Sequence, residues 1–110
     1  HHFIDDAALA RMKPGVHLVN VARGALVDQQ ALRAALDDGR VACASLDVVE
    51  PEPLPQGHWL YAHPRVRLSP HISWSAPQAF AALLAGFLDN VGRFGRGEAL
   101  GGVVDREAGY

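Results

Sequence analysis

The chain has 110 residues, 49% of them hydrophobic and 20% charged, with a net charge of -2 and one cysteine. That length suits one domain, and the balance is that of a globular protein without a basic stripe for nucleic acid. No apolar run nears the roughly 18 residues that a membrane span needs, no leader is visible in His1-His2-Phe3-Ile4-Asp5-Asp6, and Cys43 has no partner for an internal disulfide, so a cytoplasmic setting is expected.

In chain order, a first helix is predicted from Asp5 to Met12. Asp5 is placed to cap it, and Ile4 and Leu9 stand at the spacing of a hydrophobic staple. Lys13 falls in its last turn, and Pro14-Gly15 stops it. A strand follows from Val16 to Ala22, and Gly24 allows a tight turn. Asp28 opens a second helix, with Val27 and Leu32 repeating the staple. Leu32, Ala35 and Leu36 form its apolar face, and Gly39 ends it. The run from Val41 to Val49 is apolar on both faces until Asp47, as in a strand covered from both sides. A strand, a helix and a strand in this order imply a right-handed parallel crossover.

The stretch from Glu50 to Pro64 is broken by Pro51, Pro53, Pro55 and Gly57. It is expected to be a long loop, and long loops inside compact domains are often functional. Val66 to Ser69 is a short third strand. Ser75-Ala76-Pro77-Gln78 reads as a capping box. The helix it opens carries Phe80, Leu83, Leu84, Phe87, Leu88 and Val91 at steps of three and four, and Gly95 and Gly97 end it. Residues 98–110 form a glycine-rich tail. Three strands with flanking helices make half of a doubly wound α/β fold, whose dinucleotide site needs two halves. No G-x-G-x-x-G occurs. The expected fold class is therefore α/β, the second half of a Rossmann-like doubly wound parallel sheet, incomplete without upstream sequence.

In such a sheet, ligands bind outside the carboxyl ends of the strands. Arg23, Glu52 and His71 each follow an apolar run, so a cation, a carboxylate and an imidazole are expected at one edge. A guanidinium is a rigid fork of donors that fits a carboxylate, although on position alone an ordinary surface arginine explains Arg23 equally well. Pro51 and Pro53 restrict the chain on each side of Glu52. Glu50 is the competing carboxylate, and spacing does not separate the two. A carboxylate bonded to one nitrogen of His71 would fix the tautomer and favour the charged ring, which can hand a proton to a substrate oxygen and take it back. Asp47, alone at a strand end, is commonly a turn former. Trp74 is either a pocket wall or core packing. Cys43 reads as packing, His17 as pointing outward from its strand, and His58 and His63 as loop residues. No His, Cys, Asp and Glu set shows metal-ligand spacing, so no metal is expected. Neither Ser45 nor Ser69 has the context of a nucleophile.

Three segments then carry a resemblance. Asn20-Val21-Ala22-Arg23-Gly24, Asp47-Val48-Val49-Glu50-Pro51-Glu52-Pro53 and Ser69-Pro70-His71-Ile72 resemble, in order and at fitting intervals, the signatures of the NAD(P)-dependent D-isomer-specific 2-hydroxyacid dehydrogenases. The lead-in from Leu9 to Gly15 fits too. The resemblance implies that residues 1–97 are the carboxyl-terminal half of an NAD(P)-binding domain with its closing helix. It implies NAD or NADP as cofactor, and hydride transfer between it and a 2-oxoacid or D-2-hydroxyacid. By the same resemblance Arg23 binds the substrate carboxylate, His71 is the acid/base, and Glu52 rather than Glu50 is its partner. Asp47 meets the nicotinamide carboxamide. Val21, Ala22, Arg23, His71 and Ser73 also lie at the cofactor. Ser73 departs from the glycine or alanine of many members, and Ser73-Trp74 points toward members similar to glyoxylate/hydroxypyruvate reductase or phosphoglycerate dehydrogenase. Glu52 argues against formate dehydrogenase, which has glutamine there. The implied parent is a homodimeric enzyme acting on a small 2-oxoacid, with no nucleic-acid or membrane partner. These 110 residues alone are expected to be inactive. The alternative is a non-catalytic, dehydrogenase-like binding or corepressor-type protein that keeps the same trio.

Overall fold

The structure is a computed structural model and describes residues 1–107. Two compact units divide the chain, one spanning His1–Ser73 and the other beginning at Trp74. The first holds α1 (Asp6–Ala10), β1 (Val16–Asn20), α2 (Gln29–Asp37), β2 (Val41–Leu46) and β3 (Val66–Leu68), with single 3-10 turns at Gly24–Leu26 and Trp59–Tyr61. The three strands are parallel, in the order β1-β2-β3. Asn20 pairs with Leu46 and Leu46 with Leu68, so the three strands finish level at one edge.

The helix starts follow from their caps. Asp5 Oδ1 accepts the Ala8 N–H at 2.8 Å, and Asp28 Oδ1 accepts those of Gln30 and Ala31 at 2.9 and 3.1 Å. Gly39 ends α2 at φ +82°, a conformation that costs glycine little. α1 is shorter than its sequence predicts. It closes at Ala10 with Arg11 as its cap, so Lys13 lies beyond the last turn. Leu9, Leu32, Leu36, Val41, Ala44 and Leu60 are buried to 1% exposure or less. Each large aliphatic side chain among them contributes about 1.5–3 kcal/mol.

Both long strands also stop early. β1 ends at Asn20 rather than Ala22. The Asn20 amide accepts the Ala22 N–H at 3.1 Å and donates to the Arg23 carbonyl at 2.9 Å, which turns the backbone away from the ladder. β2 ends at Leu46 rather than Val49, and residues 47–49 leave the sheet. Within this unit β2 is covered on one face only: Val41, Ala44 and Leu46 are buried, Cys43 and Ser45 are half-buried, and Ala42 is exposed. The two-sided cover expected from its composition is not formed there.

The second unit is built on α3 (Pro77–Gly95). Ser75 does not cap it. Ala76 holds the cap position without a side-chain bond, and Pro77 starts the helix with its preset φ and no N–H to satisfy. Phe80, Leu83, Leu84, Phe87, Leu88 and Val91 form the predicted stripe, and none is buried. Trp74 lines an apolar cleft with Pro77, Phe80 and Leu83 and is 69% exposed.

Candidate active site

Beyond β3 the chain passes through Ser69-Pro70-His71-Ile72-Ser73, and Asp47 holds this segment. Asp47 Oδ1 accepts the Ser69 hydroxyl and, at 3.0 Å, the Ile72 N–H. Its Oδ2 accepts the Ser73 N–H at 2.8 Å. Asp47 is 5% exposed. The Ser69 hydroxyl above all, then the Ser73 hydroxyl and the two N–H groups, outweigh the loss of water and keep its carboxyl well below the usual carboxylate range. The segment carries His71 at φ 54°. A non-glycine residue in that left-handed region costs about 1–3 kcal/mol and persists where its surroundings over-determine it. Bonds from Asp47 on both sides of His71 meet that condition.

His71 Nδ1 lies 2.7 Å from Glu52 Oε1. With Glu52 ionised, the Nδ1–H donates to the carboxylate, and Nε2 is the ring nitrogen not engaged by Glu52. The structure thus separates the two glutamates that spacing leaves equivalent. Glu50 Oε2 faces His1 and His2 instead. The Glu50 backbone is held by the Gln29 side chain, which donates to its carbonyl and accepts its N–H at 3.3 Å.

Gly24 ties the Arg23 turn to this loop. A Cβ at Gly24 would sit 2.0 Å from the Val49 carbonyl oxygen, so the two backbones touch where only glycine fits. The Arg23 side chain is exposed, and its Nη1 donates to the Ala22 carbonyl at 2.6 Å. It lines neither cavity at the sheet edge. Glu52 and His71 are brought together; Arg23 stands on the adjacent turn.

A cavity of about 370 Å³ is lined by Glu52, His71, Asp47, Leu54, Tyr61 and Leu68. A second, of about 250 Å³, is lined by Val19, Val21, Leu46, Asp47, Ile72 and Ser73. Asp47 lines both. Ala22 lines neither; its N–H is taken by Asn20. The positioning roles of Asn20 and Gln29 are missed by sequence reasoning. Their sole signal is an amide side chain at a strand end and another at the first turn of a helix, both facing the same sheet edge. A carboxylate-backed imidazole at a cavity can deliver and recover one proton beside a bound molecule.

Residues 1–73 match the sequence model of the family described as D-isomer specific 2-hydroxyacid dehydrogenase, NAD binding domain. Glyoxylate/hydroxypyruvate reductase A of Serratia proteamaculans (strain 568) is 40% identical over 108 residues, which are 97% of this chain and 34% of that protein. Among solved structures, a D-isomer specific 2-hydroxyacid dehydrogenase from Xanthobacter autotrophicus Py2 in complex with NADPH and MES is 39% identical. It superposes with a TM-score of 0.84 over 99% of this chain and 44% of its own. An NADPH-dependent glyoxylate/hydroxypyruvate reductase from Sinorhizobium meliloti, in complex with NADP and sulfate, is 30% identical with a TM-score of 0.82, over 99% and 35%. The chain spans about a third of the length of the curated relatives it matches.

Proposed function

The chain belongs to the D-isomer specific 2-hydroxyacid dehydrogenase family, and from that premise we propose that its full-length protein reduces a small 2-oxoacid, of the glyoxylate or hydroxypyruvate kind, with NADH or NADPH. The observation that carries this is the 2.7 Å contact between His71 Nδ1 and Glu52 Oε1 at the larger cavity.

NAD(P)H, when bound, supplies a hydride to the carbonyl carbon of the substrate. The smaller cavity suits its nicotinamide. Val19, Val21, Leu46 and Ile72 give apolar walls for a flat ring, and Asp47 gives an acceptor for an amide. An ionised carboxylate has about four acceptor positions. The Ser69 and Ser73 hydroxyls and the Ile72 and Ser73 N–H groups draw on those of Asp47, so a carboxamide N–H would share an oxygen with one of them. Val21 and Ser73 would border the same ring, with Ala22 next to Val21 in the chain.

His71 stands at the neighbouring cavity, where a carbonyl oxygen gaining charge would take the proton from Nε2. Glu52 holds the ring through Nδ1 and balances the charge that the imidazole gains and loses. Arg23 would exchange its single bond to the Ala22 carbonyl for a two-point bond to the substrate carboxylate, swinging from the turn that Gly24 packs against Val49. In the reverse direction neutral His71 takes the proton of a D-2-hydroxyacid.

The test is oxidation of NADH and of NADPH by the full-length protein against glyoxylate, hydroxypyruvate and pyruvate. Turnover with at least one is expected, and His71→Ala is expected to lower kcat by roughly 100- to 10,000-fold with an unchanged circular dichroism spectrum. No turnover with any 2-oxoacid, or a near-normal rate in the variant, overturns the proposal. The 110 residues alone contain no glycine-rich phosphate turn and are expected to show no turnover.

A further inference from the structure

The amino-terminal segment meets the loop after β2 at Glu50. His1 Nε2 and His2 Nε2 each lie 3.6 Å from Glu50 Oε2, and the three atoms all lie within 4.8 Å of one another. Zinc bonds of about 2.0–2.2 Å to imidazole and carboxylate set neighbouring ligand atoms of a tetrahedron about 3.3–3.6 Å apart. Both histidine–glutamate separations are at that value. The imidazole rings have centroids 3.8 Å apart.

The surroundings hold these groups in place. The His2 N–H donates to the Ala25 carbonyl at 2.7 Å, and Ile4 bridges to Val27 just beyond. The Glu50 backbone is clamped by Gln29. Asp28 Oδ1 caps α2, and Asp28 Oδ2 lies 3.9 Å from His2 Nδ1. A carboxylate behind a ligating imidazole is the usual support of a histidine that binds metal, fixing its tautomer and orientation. Asp28 and Gln29, neighbours at one helix start, therefore approach the His2 imidazole and the Glu50 backbone respectively. Two nitrogens and one oxygen favour Zn²⁺-class ions over Mg²⁺ or Ca²⁺, which prefer oxygen alone.

We propose that His1, His2 and Glu50 form a binding site for one Zn²⁺-class divalent cation, with Asp28 orienting His2 and the remaining coordination open to water. The ion would join the amino-terminal segment to the loop that carries Glu52 two residues on.

Chelator-treated full-length protein titrated with ZnCl₂ by calorimetry tests this. One ion per chain is expected. His2→Ala and Glu50→Gln should each abolish that binding, and His17→Ala should leave it intact. Asp28→Asn, which keeps the helix cap, should weaken it about 10- to 100-fold. A rise in Tm with zinc in the parent protein, absent in His2→Ala, gives a second readout. No saturable one-to-one binding, or binding that survives both His2→Ala and Glu50→Gln, overturns the proposal.

Discussion

Asp47 and Glu52 stand at the same sheet edge and are held in opposite ways. Asp47 is 5% exposed and spends its oxygens on hydroxyl and N–H donors from residues 69–73. The Glu52 side chain is 39% exposed and meets the ring of His71. The first arrangement gives a carboxylate that cannot let go without unmooring a loop. The second gives one that can follow a change of charge on its partner. A site that moves protons needs both: a fixed frame, and within it a pair whose interaction is allowed to vary.

The comparison breaks most completely at Gly24. Gly24→Ala forces a Cβ into the Val49 carbonyl, and backbone has little room to yield. The expected cost is about 3 kcal/mol of stability, read as a lower urea midpoint, together with loss of activity because the Arg23 turn and the Asp47–Glu52 loop separate. An unfolding free energy within about 0.5 kcal/mol of the parent would mean that the two turns are not in contact.

Asp47 comes next. Asp47→Ala strands a hydroxyl and two N–H groups, at a cost of about 1–3 kcal/mol. The charge has its own signature. The folded carboxyl sits below its ordinary value of 3.8, so between the two values the unfolded chain binds a proton that the folded chain does not. Asp47 therefore contributes its full stabilisation above about pH 5, and loses it as pH falls through 3.8 and below. Thermal unfolding followed from pH 6 to pH 3 should show a steeper fall in Tm for the parent than for Asp47→Asn. Parallel curves would mean that the carboxylate is not held by its neighbours.

Glu52→Gln is the mildest in stability and the most telling in rate. A pair this exposed contributes no more than about 1 kcal/mol to folding, so Tm should barely move. Activity should fall by about tenfold, the effect of weakening one charge-assisted hydrogen bond. If stability falls and the rate does not, Glu52 is a structural residue and the contrast with Asp47 is lost.

Much of this site is legible in the chain itself. Asp5 and Asp28 cap their helices because a short acceptor side chain before an apolar periodic run reaches the first N–H groups in any context. Glu52 and His71 are identifiable as partners through motifs that residues 47–53 and 69–72 carry locally. Val21, Ala22, Val48 and Val49 favour strands and so suggest longer ones, whereas the Asn20 amide closes a local turn onto Ala22 and Arg23, and Asp47 turns to residues 69–73 of another segment. Ser75 fails as a cap because Pro77 supplies a helix start of its own.

Local order along the chain thus determined which elements form, where helices begin and which residue types reach the sheet edge, since periodicity, capping and turn chemistry act over a few residues. Only the tertiary structure decided why Gly24 admits no side chain, what Asp47 holds, and that Glu50 turns to His1 and His2. Those outcomes depend on contacts between segments some 20 to 50 residues apart, and such contacts arise from strand register and packing, which leave no periodic trace in sequence.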